Sequence, residues 1–134
     1  MTDEDLRLVI QKVARRIRSN RAGDDLGDSQ LGVLFFLEDA DHSPSELAAH
    51  ERVTPPSMNR TLNGLEEAGL IARHPAEDDA RRVRVTLTPA GRERIAATRA
   101  LRTAWFSQQL AGLTRDERAT LDAAAAVLGK LASS

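Results

Sequence analysis

Apolar residues recur at helical spacing at both ends of the chain and alternate with polar ones over a short stretch between them. Near the start, Leu6, Ile10, Val13 and Ile17 fall at i, i+4, i+7 and i+11. That single stripe predicts a helix over residues 3–20. Asp3, Glu4 and Asp5 at its start and Arg15, Arg16 and Arg18 near its end suit the helix dipole. A loop over 20–27, containing Gly23 and Gly27, separates it from a second helix over 28–39, capped by Asp28 or Ser29. Leu31, Val33, Leu34, Phe35, Phe36 and Leu37 make this helix apolar nearly all round. Such a helix is buried on more than one side, so it is expected at the centre of the core.

Two short helices and a ribbon follow. Ser43-Pro44-Ser45-Glu46 is a capping box with proline at the first helical position, opening a helix over 44–51. Thr54-Pro55 opens the next in the same way, over 55–68, with Gly69 as its stop. Glu51, Arg52 and Val53 form a connector short enough to set one helix across the other. Residues 70–74 and 83–87 read as strands, the second alternating Val83, Val85 and Leu87 with Arg84 and Thr86. Residues 75–82 make a hairpin tip longer than the tight two-residue kind. Two helices and such a ribbon constitute a winged helix-turn-helix, in a chain that is mainly α with a small β wing. Thr88-Pro89 then starts a helix over 89–111, ended by Gly112 and decorated by Arg92, Arg94, Arg99 and Arg102. That basic decoration reads as a solvated face. Thr114 to Glu117 is a further capping box, opening a helix to about residue 131 with Leu121, Ala124, Ala125, Leu128 and Leu131 as its apolar set.

Composition narrows the chemistry. The 134 residues suit one domain, and 41% hydrophobic with 29% charged residues is an ordinary globular balance. There is no cysteine, which excludes disulfides, thiolate catalysis and cysteine-containing zinc sites. His42, His50 and His74 are too scattered to announce a metal site, so no metal and no cofactor are expected. The acidic start is unlike a signal peptide, and the longest apolar run is too short for a bilayer, so cytoplasm is the expected compartment and no membrane partner is expected. No Ser/His/Asp arrangement or glycine-rich phosphate loop supports an enzyme. Net charge is -1, so any nucleic-acid contact must come from local arginine placement and not from a bulk basic excess.

The helix over 55–68 supplies that placement. Met58, Leu62 and Leu65 mark its inner face. Opposite them lie Pro56, Arg60, Asn63, Gly64 and Glu67, with Ser57 and Asn59 on the flanks. A small, polar face with one arginine suits entry into a DNA groove, because Arg reads guanine and Asn reads adenine. The bland alternative for Arg60 is a solvated helix residue; its uncharged polar neighbours favour DNA contact. Thr54 and Ser57 are caps that could also hold phosphate at a helix N-terminus, and Ser45 joins the candidate contacts from the preceding helix. Arg81, Arg82 and Arg84 on the hairpin are nearly balanced by Glu77, Asp78 and Asp79, as in an ordinary charged turn. Arginine at a tip nonetheless suits a narrow minor groove, and Arg81 is the favoured one. Trp105 and Phe106 read as interface core rather than a ligand cage.

These residues resemble the MarR family of bacterial transcription regulators across nearly the whole chain. The resemblance is carried by Ser-Pro-Ser-Glu-Leu-Ala at 43–48, Thr-Pro-Pro-Ser-Met-Asn-Arg at 54–60 and Leu-Glu-Glu-Ala-Gly-Leu-Ile at 65–71. Asp79-Ala-Arg81 followed by Leu87-Thr-Pro-Ala-Gly91 completes it. It implies a single domain over 1–134, with a winged lobe at about 28–88 and dimerisation helices at about 3–20 and 89–132. It implies a homodimer that binds double-stranded DNA at a pseudo-palindrome. The helix over 55–68 would sit in the major groove and Arg81 in the neighbouring minor groove, with Asp79 supporting the wing through an arginine. It further implies repression, relieved when a small anionic or aromatic effector binds between the dimer helices and the lobe. Oxidant sensing through cysteine does not carry over. The alternative is a winged-helix module that binds a protein partner and no specific DNA, supported by the low net charge alone.

Overall fold

Among the residues described by the computed structural model, 1–23 and 25–134, the chain runs α1 (Asp3–Arg18), α2 (Asp28–Phe36), α3 (Pro44–Glu51), α4 (Pro55–Glu67), β1 (Ile71–Pro75), β2 (Val83–Leu87), α5 (Pro89–Ala111) and α6 (Arg115–Ser133). Asp24, inside the expected 20–27 loop, lies outside the described residues. Each helix start follows from local chemistry. The hydroxyls of Thr2, Ser43, Thr54, Thr88 and Thr114 accept hydrogen bonds from the third backbone N–H beyond them.

Two starts differ from expectation. α2 is preceded by Gly27, whose N–H donates to Gln30 Oε1, and not capped by Asp28 or Ser29. The Asp28 carboxylate is engaged elsewhere, accepting from Arg21 at 3.0 Å. At Ser43 the capping box is half-formed. Ser43 Oγ takes the Glu46 N–H, while the Glu46 carboxylate turns to the His42 ring at 2.7 Å and the Ser43 hydroxyl at 3.3 Å.

The core is one cluster. Leu31, Val33, Leu34 and Leu37 from α2 and its end meet Leu47 and Ala48 of α3, Met58, Leu62 and Leu65 of α4, Ile71 and Val85 of the ribbon, and Ile95 of α5. α2 is therefore the central helix. α3 and α4 are joined through Arg52, which takes left-handed backbone angles at φ 55° and lets the chain reverse in three residues. Gly69, at φ +77°, ends α4 and hands the chain to β1.

β1 and β2 pair antiparallel, from Ile71 opposite Leu87 to Pro75 opposite Val83. His42 adds a bridge on the free edge of β2, exchanging backbone hydrogen bonds with Val85 at 2.8 and 3.3 Å. The same His42 ring stacks on Phe36 with centroids 4.0 Å apart, and His50 stacks on the other side of Phe36 at 3.7 Å. One aromatic sandwich thus ties α2, α3 and the base of the wing.

The arginines of α5 do more than solvate a face: Arg92 and Arg99 are exposed, and all four tie the helix to its neighbours. Arg99 holds both Glu38 carboxylate oxygens, at 2.6 and 3.0 Å, and Arg94 holds Asp25 at 3.0 Å. Arg102 donates to the carbonyls of Asn20 and Arg18 while lying over Phe35. A long helix crossing a loop with open carbonyls needs donors that reach them, and guanidinium groups do. The buried Thr98 hydroxyl accepts from the Ala22 N–H in the same seam.

α1 and α6 contribute no buried residue. Leu6, Ile10 and Val13 are 38–49% exposed, and Leu121, Leu128 and Leu131 are 42–63% exposed. Both sequence stripes therefore stand open on the single chain. Among the described residues no helix is long and apolar enough to cross a membrane, and no group of three or more acidic or histidine side chains could hold a metal ion.

Candidate nucleic-acid interface

α4 packs by Met58, Leu62 and Leu65, which are at most 1% exposed. Burying that stripe leaves Pro56, Asn59, Arg60, Asn63 and Glu67 on the open side. Gly64 is half-buried, with the Gln30 side chain against it. Arg60 is exposed on the first half of the helix. Thr54 caps through its hydroxyl to the Ser57 N–H at 3.3 Å, and Ser57 is half-buried beneath the Thr61 hydroxyl. Ser45 is exposed on the first turn of α3.

The hairpin places its arginines in three different situations. Arg81 stands almost fully exposed, with its backbone N–H and Nε both donating to Asp79 Oδ1, at 3.0 and 3.3 Å. Asp79 also takes the turn through its carbonyl, which accepts from the Arg82 N–H at 3.0 Å. Arg82 is exposed and only loosely near Asp78, at 3.8 Å. Arg84 is half-buried and donates to the Asp41 carbonyl at 3.1 Å, so it ties β2 to the loop before α3. The tip is thus Arg81 and Arg82, while Arg84 belongs to the base of the wing.

Arg73 carries no signal in the sequence that marks it for this face. This β1 residue reaches across to α4 and places its guanidinium on a polar stripe there. Nη1 donates to Asn59 Oδ1 at 3.2 Å and Nη2 to Asn63 Oδ1 at 2.5 Å. Nη2 and Nε also hold the two Glu66 oxygens, at 3.1 and 3.4 Å. The hydrogen bond from Arg73 holds the Glu66 carboxyl below its ordinary value. Asn59, Asn63 and Glu66 sit at i, i+4 and i+7, one polar stripe at helical spacing. What it did not show was which arginine would lie on it. His74, one residue on, pairs with Thr86 across the ribbon at 3.2 Å.

A helix with a small polar outer face, set against a preceding helix by a tight turn and flanked by an arginine-tipped ribbon, defines a winged helix-turn-helix protein. The family model for MarR matches residues 24–82. A helix-turn-helix-type transcriptional regulator of Mycobacterium bovis is 36% identical over 122 residues, covering 90% of this chain and 85% of that protein. A solved structure of a transcriptional regulator from Pseudomonas aeruginosa superposes with a TM-score of 0.82 at 36% identity, covering 99% of each chain. Streptococcus pneumoniae FabT, solved in complex with DNA, shares the fold at a TM-score of 0.70 and 21% identity, over 98% of this chain and 94% of that one. The chain belongs to the MarR family of transcriptional regulators.

Proposed function

We propose that this regulator acts as a homodimer that binds double-stranded DNA at a pseudo-palindromic operator and represses transcription from it. The observation that carries the reading is an exposed Arg60 on the outer face of α4 together with an exposed Arg81 at the tip of the ribbon whose first strand packs on α4. The helix would enter the major groove and the tip the adjacent minor groove, where a narrow groove's negative potential draws in arginine. The DNA complex of FabT, which has the same fold, supports this docking. The apolar stripes open on α1 and α6 are the surfaces that a second copy would cover, giving the two-fold repeat. A small aromatic or anionic effector, bound between those helices and the lobe, would relieve repression.

The test is equilibrium binding of the wild type and Arg60→Ala to a sequence selected by the wild type and to random DNA, across a salt series. Arg60→Ala should weaken specific binding by about 1–3 kcal/mol per half-site, with thermal midpoint and random-DNA affinity nearly unchanged. Equal loss on both DNAs would place Arg60 on phosphate. No salt-dependent affinity for any DNA would contradict the proposal.

A further inference from the structure

Asn59 and Asn63 lie on the open side of α4, yet neither presents a whole amide. A guanidinium carries five N–H donors and no acceptor. Whatever asparagine atom faces Arg73 must therefore be the oxygen, and both Oδ1 atoms do face it, at 3.2 and 2.5 Å. Each Nδ2 group is thereby turned away from the clamp. Glu66 fixes the guanidinium from the other end of the stripe with a two-oxygen pairing. Arg73 comes from β1, whose register with β2 is set along all five residue pairs, and its side chain is only 22% exposed. The clamp is thus built from the wing's framework and not from a loose surface residue.

We infer that Arg73 is a positioning residue that sets base preference, by turning the oxygens of Asn59 and Asn63 to itself so that they present mainly their Nδ2 donors. This rests on the DNA reading given above. Asparagine recognises adenine by a bidentate pairing, its oxygen accepting from N6 and its nitrogen donating to N7. With Oδ1 aimed at the guanidinium and one of its two lone pairs taken, that pairing is weakened. A lone Nδ2 donor instead favours edges made of acceptors, above all the O6 and N7 atoms of guanine, and rejects cytosine, whose major-groove edge offers a donor. The wing strand thereby governs what the recognition helix reads, without itself touching a base.

The experiment is selection from random DNA with the full-length wild type, Arg73→Met and Asn63→Asp, with thermal melts of each. Methionine keeps an unbranched apolar stem and removes every donor. Arg73→Met should shift the base opposite Asn63 or Asn59 from guanine toward adenine, by about tenfold in relative enrichment. Asn63→Asp keeps an acceptor for Arg73 and deletes the outward donor, so it should keep the wild-type melt and lose the guanine preference at its position. That second variant decides the matter should Arg73→Met fail to fold. An Arg73→Met profile identical in base preference to the wild type, or a uniform loss on all sequences, would reduce Arg73 to a strut and overturn the inference. So would an Asn63→Asp profile that keeps the guanine preference. Failure of the wild type itself to enrich any sequence would overturn the DNA reading, and this inference with it.

Discussion

At the scale of single residues, the molecule divides its charges into those that hold and those that are left over. Arg81 leans on Asp79 in an exposed pair, and exposed pairs contribute at most about 1 kcal/mol. The guanidinium can leave for a phosphate-walled groove at small cost, while the Asp79 carbonyl keeps the turn closed. Glu38, Glu46 and Glu66 are holders. Hydrogen bonds from Arg99, His42 and Arg73 respectively keep their carboxyls below the ordinary value of 4.5. A folded value below the unfolded one means stability that is present above about pH 4.5 and is lost as pH falls through the folded value. The thermal midpoint should therefore decline on acidification below pH 4.5, and Glu38→Gln should make that decline shallower. Parallel melting profiles for the two proteins would show that the Arg99 pairing contributes nothing. The candidate contacts on α4 were legible because a helix's outer face follows from its inner one. Arg73 was not, because a strand residue's reach across to a helix depends on how the ribbon docks, which no local spacing encodes. Arg84 was read on the second strand as a candidate DNA contact, and its tie to the Asp41 carbonyl at the base of the wing depends on the docking of the loop before α3, which the strand pattern does not encode.

At the scale of elements, hydroxyl caps and apolar stripes made the helices readable to within a few residues. The strands were legible from alternation. What escaped was how elements grip each other: the His42–Phe36–His50 stack joins three of them, and its members are far apart in spacing and individually bland. The α5 arginines looked like solvation because their partners are carbonyls and carboxylates of the 18–38 region, distant in sequence. One element contact is open to direct test. Gly91, on the first turn of α5, is buried, and a Cβ there would come within 2.2 Å of the Leu70 carbonyl oxygen and 3.0 Å of Leu87 Cδ2. Backbone cannot yield as a side-chain end can. Gly91→Ala should lower stability by about 1–3 kcal/mol, the cost of overpacking, read as a lowered thermal midpoint. An unchanged midpoint would mean that α5 does not dock against the wing as described.

At the scale of the whole molecule, the lobe is a finished core and the end helices are not. Every residue of the buried cluster lies between Leu26 and Ile95, whereas α1 and α6 keep their leucines and valines in the open. A chain of net charge -1, with one arginine on its recognition face and two at its tip, has few phosphate contacts to offer alone. Under the proposed dimer, two lobes paired through the open stripes would double those contacts and fix their spacing. The dimer is in this account part of the reading mechanism, and the most direct test is the symmetry of the DNA that the wild-type protein selects from random sequence. A paired molecule should select an inverted repeat with half-site centres about 10 bp apart, one turn of the double helix. A single unrepeated half-site, or no enriched sequence at all, would contradict it.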